Sequence, residues 1–385
     1  MAPRSERPRQ DLLALALGIA AFAQLGTLLR LELSGALAGY NATNLSSAMW
    51  ANFVGCFVIG LFNGLKPVFD ERGLAPLFSA TTAGFCGALT TFSTWQGEVA
   101  RWLVLWPSPS VSRAFAERNA FGRVLSAASA LLTELGISCL AFQVGRGVAH
   151  LMVDPPPPPA SEDAIDEEES QPLMVARGQP APAGYGLSAP PLGHVHSAML
   201  AVLGRRAFAR WDDAVRVPAR VGQGPGRSQW VFSLAFLGLL VSVTALVTAL
   251  NLSLGGQLLF FVVIWAPPGA LLRYLLGVWL NARPPGAGTY LANILACAVT
   301  GALMAGGAAA GCYAGSPWKQ NLVKGISVGF CGSLSTTSTF VAHLHEFAFG
   351  EALIYFLISV VSAQGVLCAI LGGYLGSSGA SHVCA

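Results

Sequence analysis

Nine long apolar segments, separated by polar stretches, dominate the hydrophobic pattern of the chain. Each has the length, about 20 residues, that an α-helix needs to cross the hydrocarbon core of a bilayer. The pattern therefore predicts an all-α polytopic membrane protein with nine transmembrane helices. The segments span residues 12–31, 45–65, 77–105, 121–151, 230–250, 258–280, 289–310, 322–347 and 352–375.

A polar segment of different character separates the fourth apolar segment from the fifth. It contains five consecutive prolines at 155–159, an acidic cluster at 162–169 and then scattered arginines. Low hydrophobicity combined with many prolines and charges is typical of a disordered chain. We therefore expect a first four-helix domain at 1–151, a disordered cytoplasmic linker at 152–229, a linking transmembrane helix at 230–250 and a second four-helix domain at 251–385.

The two four-helix blocks contain the same motifs in the same order. GFCGALTTFSTW at 84–95 and GFCGSLSTTSTF at 329–340 are identical at eight of their 12 positions. GTLLR at 26–30 matches GALLR at 269–273, and Asn52 matches Asn293 with the same spacing to a following cysteine and glycine. Three ordered matches indicate an internal duplication.

The single linking helix determines how the copies are oriented. Four crossings return a chain to its starting side, so one additional crossing makes the second block enter from the opposite side. The sequence thus predicts an inverted repeat about a pseudo-two-fold axis in the membrane plane. Arginines at 4, 7 and 9 and in the linker favour a cytoplasmic N-terminus.

Composition excludes several classes of protein. Charged residues make up 11% of the 385 residues and hydrophobic residues 54%, whereas a soluble domain carries roughly 25% charged residues. A net charge of +3 is too small to indicate nucleic-acid binding. The eight cysteines lack zinc-type spacing. An enzyme is not expected, since no nucleophile–base pair or metal-ligand set is evident.

Four polar side chains interrupt the apolar segments at matched positions of the two blocks. Arg30 and Arg273 either extend to a helix end or form a cationic vestibule that attracts anions, because a charge at the bilayer centre costs at least ~3 kcal/mol. Asn52 and Asn293 either join neighbouring helices or donate to an anion in a pore. The pattern leaves both pairs of alternatives open.

The third segment of each block carries a dense hydroxyl cluster, TTFST at 90–94 and STTST at 335–339. Hydroxyls can support an interrupted helix, whose freed carbonyl oxygens suit a small cation. They can equally bond back to the carbonyls of an unbroken helix. Spacing alone does not decide between these conformations.

The quoted motifs resemble the small fluoride channels of the Fluc (CrcB) family in their fused eukaryotic form (FEX). The resemblance covers both four-helix blocks and omits the linker. It implies a single-chain, dual-topology pseudo-dimer in the lipid bilayer, with two possible anion pores and fluoride as the transported ion. It also implies passive fluoride export that confers fluoride resistance, which is consistent with a multi-pass protein of the plasma membrane.

The resemblance assigns residues by position. The pore asparagines are Asn52 and Asn293. The paired pore phenylalanines of the family fall at Phe92, Trp95, Thr337 and Phe340, of which only two are phenylalanine here. The polar track of the fourth helix falls at Tyr355, Ser359 and Ser362, and a structural sodium ion is expected on the backbone carbonyls of Gly87, Thr90, Gly332 and Ser335.

The two blocks match the family unequally. The first block offers only Ser126, Ala130 and Thr133 for the polar track, and Trp95 with Thr337 forms the degraded aromatic pair. We therefore expect one conducting pore and one vestigial pore.

Two other classes of function remain. A proton-coupled secondary transporter of another small solute could use Glu98 or Glu134 as its proton carrier. A non-conducting scaffold could recruit partners through the linker.

Overall fold

The computed structural model describes residues 7–37, 46–104, 120–153, 227–254, 257–281, 284–311 and 316–378. All nine predicted apolar segments are helical in these ranges, which confirms the all-α class. Seven of the helices described are long and apolar enough to cross a membrane. The remaining two predicted segments, the third of each block, are each divided by a short extended stretch.

We number the helices in chain order. The helices are α1 (Arg7–Ala36), α2 (Met49–Glu71), α3 (75–89), α4 (Phe92–Val104), α5 (Ala120–Val153), α6 (Arg227–Leu254), α7 (Gln257–Leu280), α8 (Ala287–Ala309), α9 (317–334), α10 (Thr337–Glu346) and α11 (Phe349–Ser378). The middle turns of α3 and α9 are π-helical, at Ala80–Cys86 and Gly325–Cys331.

The chain divides into two compact units. The larger comprises Met1–Ala149 and Pro218–Ala385 and contains both four-helix blocks. The smaller comprises His150–Val217, of which only residues 150–153 are described, as the last turn of α5. The predicted disorder of the linker therefore concerns residues that lie largely outside the described ranges, although 152–153 and 227–229 are helical.

Glycines allow the same close helix crossing in both blocks. A Cβ on Gly26 of α1 would collide with the carbonyl oxygen of Phe85 in α3, and one on Gly269 of α7 would collide with that of Phe330 in α9. Small residues at such crossings let membrane helices pack backbone to backbone. The first and third helices of each block are therefore held together at matched positions.

Each helix that follows a break packs against the opposite block. α4, from the first block, packs against α8 and α11 of the second, whereas α10, from the second, packs against α2 of the first. The aromatic residues of α4 and α10 lie in the largest hydrophobic cluster of the described chain. The two blocks consequently share one core.

Candidate functional site at the paired helix breaks

Both hydroxyl-rich motifs contain a true break in the helix. Thr90 follows α3 with extended backbone angles (φ −87°, ψ 151°), and Ser335 follows α9 in almost the same conformation (φ −83°, ψ 155°). Thr336 is also extended and caps α10. The structure thus decides for interrupted helices over unbroken ones, at equivalent positions of the two blocks.

The matched asparagines bind the backbone at these breaks. The Asn52 side-chain oxygen accepts from the Thr91 N–H at 2.8 Å, and its amide donates to the Thr91 carbonyl at 3.4 Å. Asn293 accepts from the Thr336 N–H at 2.8 Å and donates to its carbonyl at 3.2 Å. An unpaired peptide group is costly where water is excluded, so each amide replaces the helical partners that the break removes.

Each break also caps the restarting helix of the opposite block. The Thr90 hydroxyl oxygen accepts from the N–H groups of Thr337 and Ser338 at 3.2 and 3.1 Å. In return, the Ser335 hydroxyl accepts from the Ser93 N–H at 3.1 Å. The first N–H groups of a helix need acceptors from outside it, and hydroxyls supply them well. The caps therefore join the blocks at the centre of the site.

Direct hydroxyl contacts connect the two breaks. Thr90 and Thr336 approach to 3.1 Å, and Thr91 and Ser335 to 3.2 Å. All four side chains are buried. The structure thus brings together predicted cation-site residues that lie about 245 positions apart in the chain.

Two of the predicted sodium-binding carbonyls lose their helical donors at the breaks. In a continuous helix, the Gly87 and Gly332 oxygens would accept from Thr91 and Thr336, whose N–H groups instead bond to Asn52 and Asn293. The Gly332 oxygen accepts from Arg30 at 2.7 Å and keeps a second lone pair. This set of oxygen donors fits a small hard cation, although the neighbouring guanidinium groups oppose it electrostatically.

The arginines are buried and do not extend to helix ends. Arg30 and Arg273 are 3% and 5% exposed. Arg30 reaches from α1 to the carbonyls of Val328 and Gly332 in the second block, and Arg273 reaches from α7 to the Ala83 carbonyl in the first block. Arg273 also donates to the Ser333 carbonyl at 3.0 Å. Each guanidinium therefore donates to carbonyl oxygens near the C-terminal end of a broken helix, where a positive charge stabilises the helix dipole.

The candidate pore aromatics form a connected row. The ring centroids of Phe92 and Trp95 are 5.5 Å apart, those of Phe92 and Phe340 5.3 Å, and those of Phe340 and Tyr355 5.4 Å. Thr337 is fully buried, and its hydroxyl has no partner within the described ranges. The row connects α4 and α10, the helices that follow the two breaks, to the track on α11. Aromatic rings present positive edges, which can contact an anion.

The residues of that track differ in how they are bonded. Tyr355 donates to the Gly286 carbonyl at 3.3 Å, and Ser362 bonds to the Tyr290 hydroxyl at 3.1 Å. Ser359 is 1% exposed, and its hydroxyl has no hydrogen-bond partner in the described part of the chain. A buried donor without a partner costs about 1–3 kcal/mol, so Ser359 is available to a ligand.

Sequence reasoning missed three polar pairs at the site. Gln364 donates to the side chain of Gln96 at 2.7 Å, and His343 contacts Thr289 at 3.2 Å. Glu134, considered only as a proton carrier, accepts from Asn52 at 2.9 Å. Amides and a carboxylate within apolar segments were the available signal, but their partners lie on distant helices.

Together these features define a polytopic membrane protein in which two matched helical blocks meet at a buried, polar pair of broken helices. The family described as CrcB-like protein, Camphor Resistance (CrcB), matches residues 17–145 and 260–374, more than half of the chain. The chain belongs to this family, which confirms the resemblance found in its motifs.

Individual relatives agree with this assignment. Fluoride export protein 1 of Candida albicans is 25% identical over 359 residues, which cover 89% of this chain and 75% of that protein. Fluoride export protein 1 of Schizosaccharomyces pombe is 46% identical over 74 residues, which are 19% of this chain and 23% of the relative. The Fluoride-specific ion channel FluC 2 of Staphylococcus saprophyticus is 34% identical over 119 residues, or 30% of this chain and 94% of the relative. No solved structure matches the chain significantly.

Proposed function

We propose that this protein is a fluoride channel that exports cytoplasmic fluoride passively and thereby confers fluoride resistance. The observation that carries the proposal is the junction of the two broken helices, where buried hydroxyls, amides and aromatic edges lie together. Relatives named fluoride export protein and fluoride-specific ion channel support the choice of ion.

The chemistry of the junction suits a small, strongly hydrated anion. Fluoride must exchange its water for other hydrogen-bond donors. The hydroxyls of Thr337 and Ser359 are buried donors that have no partner among the described residues. The edges of Phe92 and Phe340 offer weak positive potential without the strong attraction of a full charge. Several weak sites in series permit both entry and exit of an ion.

A membrane potential can drive this export without a further energy source. An interior-negative potential contributes ~2.3 kcal/mol per 100 mV to the exit of one negative charge. We place the protein in the plasma membrane because export from the cell requires that boundary. We place its N-terminus in the cytoplasm because arginines at 4, 7 and 9 precede the first apolar segment. Entry of fluoride as its neutral acid would then be balanced by exit as the ion.

The same proposal includes a single-chain pseudo-dimer of inverted blocks. A structural sodium ion would be held by the carbonyls of Gly87, Thr90, Gly332 and Ser335, where it would fix the two breaks relative to each other. Of the two possible pores, one conducts and the other is vestigial. The unequal polar side chains of the fourth helices in the two blocks support this asymmetry.

Purified protein in liposomes loaded with potassium fluoride tests the function. A fluoride electrode would record release after valinomycin is added, with potassium chloride and a chloride electrode as the comparison. We expect rapid fluoride release and negligible chloride release. Ser359→Ala should slow fluoride release, whereas Ser377→Ala, at an exposed position of the same helix, should not. Equal release of both halides would contradict the proposal.

Proton-coupled transport is the second candidate because Glu134 is a carboxylic acid that is 1% exposed. In that case Glu134→Gln would abolish the proton-coupled flux of another small solute. In a channel, Glu134→Gln retains fluoride release, and the release rate follows the membrane potential that potassium and valinomycin set. A pH gradient does not distinguish the two, because fluoride also crosses the bilayer as its neutral acid.

A further inference from the structure

The two blocks differ in chemistry at one buried position of their last helices. Alignment of Cys139 with Cys368 also aligns Gly136 with Gly365. In this alignment, Glu134 of α5 is equivalent to Ala363 of α11. Both of these side chains are buried, at 1% and 0% exposure. One block therefore has a carboxyl group where the other has a methyl group.

The carboxyl group of Glu134 accepts the hydrogen bond that the Asn52 amide of the first block would otherwise donate to an anion. Its Oε1 accepts from the Asn52 Nδ2 at 2.9 Å and from the Ser46 hydroxyl at 2.8 Å. Because Asn52 Nδ2 also donates to the Thr91 carbonyl at 3.4 Å, both of its hydrogens are used. An oxygen with two converging donors is in the position that an anion would take.

The equivalent amide of the second block is less fully used. Within the described ranges, Asn293 Nδ2 donates only to the Thr336 carbonyl, at 3.2 Å. One of its two hydrogens is therefore available. Tyr290, one turn earlier on α8, bonds to Ser362, the residue next to Ala363. The second block thus combines an open donor on Asn293 with a small side chain at the position equivalent to Glu134.

A second acidic residue of the first block, Glu98 of α4, is held next to Glu134 by neighbouring serines. Glu98 accepts from the Ser47 N–H at 2.9 Å and from the Ser47 hydroxyl at 2.6 Å, so adjacent serines hold the two carboxyl groups. In the repeat register, Glu98 corresponds to His343, which contacts Thr289. Acidic groups repel an approaching anion, and the second block has none at either position.

We propose that Glu134 is a built-in plug: its carboxyl oxygen takes the place of an anion on Asn52 and closes the pathway of the first block. Conduction is thereby confined to the pathway beside Asn293 and Ala363. This inference rests on the proposed function and names the residue that makes the two pathways unequal.

Moving the carboxyl group between the blocks tests the plug. Ala363→Glu alone should lower the fluoride release rate of the liposomes about tenfold or more, because both pathways then carry a carboxyl group. Adding Glu134→Ala should raise release about tenfold or more above that of Ala363→Glu, because the first block then conducts. Ala363→Glu with Leu140→Ala is the matched control, since Leu140 is an exposed residue of α5, and it should stay slow.

Each result has one meaning when every variant elutes as a single species from gel filtration. No fluoride release from wild type would overturn the proposed function itself. Wild-type release with fast Ala363→Glu, or with a double variant as slow as its control, would overturn the plug. Should Ala363→Glu fail to fold, Ser359→Phe fills the same pathway without a charge and takes its place in the comparison.

Discussion

The crossed cap at Thr90 gives the sharpest test of how the two blocks are joined. Thr90→Val keeps the shape and branching of the side chain and removes the hydroxyl. Extended backbone at this position accommodates valine without strain. The substitution would leave the N–H groups of Thr337 and Ser338 without their acceptor in a buried setting.

The magnitude follows from those two lost bonds. A buried donor left unsatisfied costs about 1–3 kcal/mol, whereas interhelical hydrogen bonds in a membrane protein average about 0.6 kcal/mol by double-mutant cycles. Two unsatisfied donors should therefore lower the free energy of unfolding by at least about 1 kcal/mol. We expect about 2 kcal/mol, because both donors lie at the start of one helix.

The assay is equilibrium unfolding of detergent-solubilised protein followed by circular dichroism. The matched control is Thr248→Val on α6, where the hydroxyl donates only to its own helix, to the Thr244 carbonyl at 2.8 Å. It should change the free energy of unfolding by less than about 0.5 kcal/mol. Equal effects of Thr90→Val and Thr248→Val would refute the crossed-cap account.

Three further predictions concern the pore, the packing and the linker. Phe340→Ile should reduce fluoride release in the liposome assay more than Trp95→Ala, because Phe340 contacts both Phe92 and the α11 track; equal losses would contradict this order. Gly26→Ala should destabilise the protein by about 1–3 kcal/mol through overpacking, measured by thermal unfolding, whereas Gly35→Ala, with open space around it, should not. Deletion of residues 155–226 should retain fluoride release in liposomes, which would argue against the scaffold alternative; loss of release would contradict conduction by the helical blocks alone.

The apolar pattern predicted the helices well because segment length is a local property of the chain. Segments 258–280 and 289–310 agree closely with Gln257–Leu280 and Ala287–Ala309. Membrane thickness constrains each segment by itself, so no knowledge of its neighbours was needed.

The chemistry of the site could be predicted only in part. The breaks remained one of two alternatives because a threonine hydroxyl can bond to its own helix or cap another, and spacing does not distinguish them. In the structure, Thr90 does both: it donates to the Cys86 carbonyl at 3.0 Å and accepts from α10. Its second role depends on a contact across about 247 positions of sequence.

The assignment of Glu134 shows the same limit. An acid within an apolar segment suggested a proton carrier, because its partner was unknown. Hydrogen bonds to Ser46 and Asn52 give it a different meaning, since they place its oxygen where the second block leaves a donor open. The pore, vestibule and sodium assignments remain predictions that flux and binding measurements can test.

The opposed orientation of the two blocks is the claim on which the pathway depends, and side-selective labelling tests it directly. Single cysteines would replace Arg72, in the turn after α2, and Ala310, at the end of α8, in a protein whose native cysteines are removed. Both positions are exposed, and they follow the second helix of each block. A membrane-impermeant maleimide should label Ala310→Cys from outside intact cells and Arg72→Cys only after permeabilisation. Labelling of both from the same side would contradict the inverted arrangement.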